Sequence, residues 1–250
     1  MTSQPQHQPT GVYSDTEIIA GLEQGHIVCD PTPAQINGSS IDVTLGYYFS
    51  RAGGSRQDEL FNPFDQASTR QYFGDYLTAR PWREARRKIS RPEVANIDTL
   101  AGIDDDHPVI VLHPNERILA HTHEFIGILP PGTTSMQARS TTGRIGISAC
   151  YCAGWGDPGY INRWTMEIHN LNEHSYVILP VGYRIAQIVF SATGPVATEY
   201  AKASGNYQSN ISDDLAAVKR AWRPWMMLPR AYASPVKLPP PVTGLSDGLM

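Results

Sequence analysis

From Val109 to Phe190 the chain reads as continuous β, a succession of short apolar runs punctuated by turn residues. The run VIVLHPNERILAHTHEFIGILP gives two strands around the turn His113-Pro114-Asn115-Glu116, and YVILPVGYRIAQIVF breaks at Pro180-Val181-Gly182. Strands this short and this frequent restrict the fold to a sandwich or a barrel. The 21 glycines and 20 prolines among 250 residues supply the turns that such a fold requires.

Ahead of the β region, Ser14 and Glu17 are spaced as a capping box, and Ile18 and Leu22 share a face. With Gly25 as a stop, they predict a helix over about 15–24. In QINGSSIDVTLGYYF a turn at Asn37-Gly38 leads into a half-buried strand, with Ile41, Val43 and Leu45 alternating against Asp42 and Thr44. Residues 1–11 read as a disordered tail, 12–200 as the main domain with 51–106 as an insertion, and 201–250 as a covering segment and extended arm. DDLAAVKRAW has helical character within the last of these.

The formal charge of −4 and pI near 6.0 oppose a surface built as a whole for phosphate backbone. Residues 70–91 nevertheless mix arginines with Tyr72, Phe73, Tyr76 and Trp82, a composition of single-stranded nucleic-acid grooves and, more commonly, of solvated excursions packed through their aromatics. No nucleic-acid partner is expected. No apolar run reaches the roughly 20 residues of a membrane span and the N-terminus lacks signal-peptide regions, so a cytoplasmic protein with free thiols at Cys29, Cys150 and Cys152 is expected. Cys150 and Cys152 read as same-face positions of a strand.

Metal motifs fail on spacing. His121-x-His123 and Cys150-x-Cys152 fit neither a C-x2-C pair, an H-E-x-x-H helix, nor the H-x-E and P-C-x-x-C signature of zinc deaminases. Asp104, Asp105 and Asp106 read as a solvated loop. Walker and G-x-G-x-x-G loops are missing too, which leaves Arg139-Ser140-Thr141-Thr142-Gly143-Arg144 as a phosphate grip of guanidinium and hydroxyl groups, or a plain surface turn. Period two along 163–169 places Trp164, Met166 and Ile168 on one face and Thr165, Glu167 and His169 on the other. Glu167 is then a carboxylate on a rigid strand facing a cleft, with Asp157 nearby in a Gly-Asp-Pro-Gly turn.

Taken in order, INGSSIDVTLG, VLHPNE, RSTTGRIGI and AGWGDPGYINRWTMEI resemble the linked motifs of the dCTP deaminase family of the trimeric dUTPase superfamily, over about 12–208. The resemblance implies a mainly β, dUTPase-like distorted barrel or jelly roll with a few short helices. It implies zinc-independent hydrolytic deamination of dCTP, or a related deoxycytidine nucleotide, to dUTP and ammonia. Glu167 would shuttle protons while Ser140 and Arg144 position the water. It assigns Arg139, Thr141 and Ser140 to phosphate, Asp157 and Tyr160 to the sugar, and Cys150, Tyr151, Cys152 and Ala153 to the base edge. It also implies Mg2+ carried on the triphosphate and a homotrimer. Where the family tail reads G-K-Y-Q-G-Q, this chain has Gly205-Asn206-Tyr207-Gln208-Ser209-Asn210, so Asn206, Tyr207 and Asn210, with Lys202, stand at the triphosphate positions. Gly156 and Asn162 replace an isoleucine and a glycine. Two alternatives accompany this reading. AGWGDPGY resembles the A-G-W-I-D-A-G-F of bifunctional enzymes that proceed to dUMP and pyrophosphate, with Asp157 activating the second water. An inactive, nucleotide-gated binding protein is the other.

Overall fold

The computed structural model describes residues 11–53, 60–197 and 214–234. Its first element is the helix α1 (Asp15–Glu23), in which Ser14 Oγ accepts from the Glu17 amide and Glu17 Oε2 accepts from the Ser14 amide at 2.7 Å. Both orphan donors of the helix start are thereby satisfied, and buried Ile18 points into the core. Three strands follow: β1 (Ile27–Asp30), β2 (Ile36–Asn37) and the long β3 (Ser40–Arg51). The segment after β3 contributes α2 (Gln66–Phe73), β4 (Leu77–Thr78), β5 (Arg80–Pro81), α3 (Trp82–Ala85) and α4 (Pro92–Ala95).

Next come β6 (Pro108–Leu112), β7 (Arg117–Ile128) and β8 (Gly132–Ala138), then the one-turn α5 (Ser140–Arg144). β9 (Ile147–Ser148), β10 (Trp155–Gly156), β11 (Ile161–Asn170), β12 (Val177–Pro180) and β13 (Arg184–Ala192) complete the strands, and α6 (Leu215–Ala221) packs over their outer side. The main sheet runs β10-β8-β13-β3-β7-β11-β9, and a three-stranded sheet runs β12-β6-β5. All pairings are antiparallel.

The large sheet curls because β3 changes partner along its length. Its first half pairs with β13 at Ile41–Thr44 and its second half with β7, and a register shift between Leu45 and Phe49 marks the bend. The turn at Asn37-Gly38 joins β2 to β3 as a hairpin, whereas those at 113–116 and 180–182 serve as crossings between sheets. The chain leaves β6 in the small sheet for β7 in the large one, and leaves β12 for β13 in the same way. Ile41, Leu45, Ile118, Ile126, Met166, Ile168, Ile188 and Phe190 are fully buried between the layers. At about 25 cal/mol per Å2 of apolar area removed from water, this core supplies the main favourable contribution to folding.

Charge is also built into the interior. Asp42, wholly buried, accepts from Asn37 Nδ2 at 2.9 Å and pairs with Arg184 at 3.1 Å and Arg139 at 3.3 Å. Glu124, equally inaccessible, accepts from the Thr44 amide at 2.9 Å and the Thr44 hydroxyl at 2.6 Å. These contacts satisfy carboxylates that would otherwise cost several kcal/mol to bury.

Candidate active site

β11 carries the expected division of faces. Trp164, Met166 and Ile168 are buried, whereas Thr165, Glu167 and His169 are half-buried on the opposite side. In register, Glu167 lies opposite Leu119 and His169 opposite Arg117, so β7 continues the floor. Above it opens a cleft of about 650 Å3, a volume typical of small-molecule sites. Glu167, Asp157, Tyr160, Ala153, Trp155 and Arg117 line it. Its roof is aromatic and aliphatic, from Phe61, from Phe73 of α2, and from Met227 and Pro229 behind α6.

Within this cleft the Glu167 Oε2 atom is buried and has no hydrogen-bond partner. An acceptor in that position is costly unless a ligand or water engages it. The neighbouring Cys150 thiol is pushed up to about 11, first by burial and then by the charges of Glu167 and Cys152, so it stays protonated near neutral pH. Asp157 is exposed at the start of the turn from β10 to β11, where its carbonyl accepts from the Tyr160 amide at 2.9 Å. The Tyr160 ring meets the indole of Trp164 nearly edge-on, at 5.4 Å. That indole donates to Ile126 O at 3.0 Å and fills the space a side chain on Gly156 would occupy. The isoleucine-to-glycine difference at Gly156 therefore accompanies a large residue at Trp164.

The cysteine pair departs from the sequence reading. The chain ends its pairing with β11 at Ser148 and begins pairing with β8 at Trp155, and Cys150 and Cys152 lie in the unpaired loop between. Tyr151, in the same loop, approaches His169, with ring centroids 6.3 Å apart. All three cysteines are free.

Ser140 and Arg144 do not line the Glu167 cleft. They sit on α5, exposed, beyond β9, and Gly146 at φ +77 with Asn172 against it turns the chain out of that helix. Thr142 anchors the helix by donating to Ile185 O at 2.9 Å, while Thr141 is exposed. Arg139 is committed to Asp42 and donates to Arg184 O at 3.1 Å. Lys202, Asn206, Tyr207 and Asn210 lie outside the described residues. The residues that sequence reasoning missed are Arg117, Leu119, Trp155, Phe61, Phe73, Met227 and Pro229; period two along β7 could have pointed to Arg117 and Leu119, and the motif AGWGDPGY to Trp155.

His121 has a structural place. Buried within β7, its Nε2 accepts from the Tyr48 amide at 3.2 Å and its Nδ1 lies 2.7 Å from Thr122 O, so both ring nitrogens are engaged by backbone. Among the described residues no helix is long and apolar enough to cross a membrane.

The sequence profile of a family described as dCTP deaminase-like matches residues 12–193. A curated protein of Methanopyrus kandleri named "dCTP deaminase, dUMP-forming" is 41% identical over 207 residues, 80% of this chain and 91% of its own. One of the same name in Methanobrevibacter smithii is 29% identical over 213 residues, covering 83% and 95%. The solved 2′-deoxycytidine 5′-triphosphate deaminase of Agrobacterium tumefaciens aligns with a TM-score of 0.49 at 16% identity, over 74% of this chain and 49% of that one. The relatives' names overturn the expectation of dUTP as the end product, since they are called dUMP-forming. The tryptophan-bearing AGWGDPGY, which resembles the bifunctional pattern, is the sequence signal for the dUMP-forming alternative.

Proposed function

Because the chain belongs to the dCTP deaminase-like family and is a hydrolytic enzyme of that kind, we propose that it converts dCTP through dUTP to dUMP, pyrophosphate and ammonia, consuming two waters. The unpartnered, buried Oε2 of Glu167 in a nucleotide-sized cleft carries this reading. In the first step Glu167 takes a proton from water as its oxygen bonds to cytosine C4. It passes that proton to ring N3, then takes the second proton from the new C4 hydroxyl and gives it to the amine, so that the C4–N4 bond breaks, ammonia leaves and C4 becomes a carbonyl. In the second step Asp157, at the rim of the same cleft, removes a proton from the water that attacks phosphorus. The bridge between the α- and β-phosphates breaks and pyrophosphate leaves. Tyr160 and Trp155 offer rings to the sugar and base.

Ser140 and Arg144, placed outside the cleft of their own chain, act in this reading on a neighbouring copy's Glu167, within a homotrimer. Arg139 and Thr141 would meet phosphate on the same edge, and the loop of Cys150, Tyr151, Cys152 and Ala153 would read the base. Among the described residues no three metal-ligating side chains converge. In this reading Mg2+ arrives on the triphosphate, held by phosphate oxygens and water.

Product analysis with dCTP tests the whole scheme. Equimolar dUMP, pyrophosphate and ammonia are expected; dUTP as the final product, or ammonia release by Glu167→Gln, would refute it. Mixing inactive Glu167→Gln with inactive Arg144→Ala should restore activity if the site is shared, and no restoration in a confirmed mixed oligomer would sink that part.

A further inference from the structure

A second cavity, of about 740 Å3, opens away from the Glu167 cleft, between the small sheet and the insertion. Five cationic side chains line it, Arg51, Arg80, Arg83, Arg87 and Lys88, against one carboxylate, Glu84. Two of these cations are balanced elsewhere. Arg51 pairs with Glu116 and donates to Val111 O at 3.1 Å, and Arg83 pairs with Asp106 at 2.7 Å in solvent. Arg80, Arg87 and Lys88 are exposed and have no ion-pair partner among the described residues. The wall behind them is apolar, with Ile89 and Val109 buried. Uncompensated cations around a concave, low-dielectric wall concentrate positive potential and repel one another, an arrangement that a multivalent anion relieves.

The geometry points to a second ligand site here, for an oligophosphate, with inorganic triphosphate and the phosphates of a nucleoside triphosphate as the two sources of that chemistry. Guanidinium groups match phosphate oxygens in pairs, and Tyr76 at the margin offers an exposed ring to a base if one is attached. A single-stranded nucleic acid fits less well. The cations gather in one concavity instead of tracking a groove, and the chain as a whole carries a formal charge of −4. The site is independent of the chemistry at Glu167.

Calorimetric titration of the full chain with inorganic triphosphate tests it, comparing wild type, the triple variant R80A/R87A/K88A and R70A, which removes an exposed arginine outside the cavity. All three substituted side chains are exposed, so an unchanged melting temperature is expected and verifies folding. Triphosphate should bind the wild type and R70A alike, weaken as salt rises, and bind the triple variant at least tenfold more weakly while ammonia release from dCTP persists. ATP in place of triphosphate separates the sources: tighter binding assigns a nucleotide, equal binding the phosphates alone. Equal triphosphate affinity in the triple variant, no binding by the wild type, or a preference for an oligonucleotide that ignores triphosphate would overturn the assignment.

Discussion

A methyl group added at Gly156 has nowhere to go. An ideal Cβ there lies 2.2 Å from Thr134 Oγ1 and 2.5 and 2.6 Å from Cη2 and Cζ2 of Trp164, about 1 Å inside ordinary van der Waals contact. Neither neighbour yields readily. Thr133 and Thr134 both donate to the Gly156 carbonyl, at 2.7 and 3.3 Å, and the Trp164 indole is held by Ile126 O. Gly156→Ala should therefore cost about 1–3 kcal/mol, the usual range for overpacking a filled core. The diagnostic measurement is a double-mutant cycle in urea. Trp164→Leu alone leaves a void and costs about 2–4 kcal/mol. Combined with Gly156→Ala, it should cost less than the sum by about 1 kcal/mol or more, because the methyl occupies space that the indole vacated. Additive effects, or a neutral Gly156→Ala, would show that the backbone at β10 shifts freely and that glycine and tryptophan are not a matched pair. As Asp157 follows directly, dUMP formation should fall with Gly156→Ala and recover partly in the double variant.

His121 predicts an acid sensitivity. Burial, opposed by its bond to Thr122, lowers its pKa to about 3, so between that value and the unfolded pKa of about 6.5 the unfolded chain binds a proton that the folded chain does not. Stability from this residue is complete above pH 6.5 and falls by up to about 1.4 kcal/mol per pH unit below it; unfolding free energies at pH 7, 6 and 5 should show the slope, and His121→Gln should flatten it. Thr44→Val removes a 2.6 Å bond to buried Glu124 and should cost about 1.5–3 kcal/mol in denaturant melts, where a neutral result would mean that water replaces the hydroxyl. Asp42→Ala frees two guanidinium groups that are partly exposed and should cost about 2–3 kcal/mol in the same denaturant melts, where a neutral result would mean that water replaces the carboxylate.

What was legible in the sequence was local. The capping box at Ser14 and Glu17 fixes α1 to within a residue at its end, and the alternation at 163–169 assigns both faces of β11, because each depends on neighbours only a few positions apart. The cleft's roof was illegible for the opposite reason: Phe61, Phe73, Met227 and Pro229 meet Glu167 across roughly a hundred or sixty residues of chain, from segments without strand period. The Cys150–Cys152 loop misled because C-Y-C imitates strand alternation while the chain is between partners. Ser140 and Arg144 were recognisable as a motif, yet no pattern along the chain says that they fall outside the cleft of Glu167.

The cleft is assembled from parts under unequal constraint. Its floor, Glu167 with Leu119 and Arg117, belongs to paired strands whose register cannot slip without turning core side chains outwards. Its roof comes from Phe61 and the end of α2 and from a short turn behind α6, neither of which sets that register. Replacing side chains in those two segments therefore reshapes the cleft without moving the Glu167 carboxylate, so the walls and the floor can change independently.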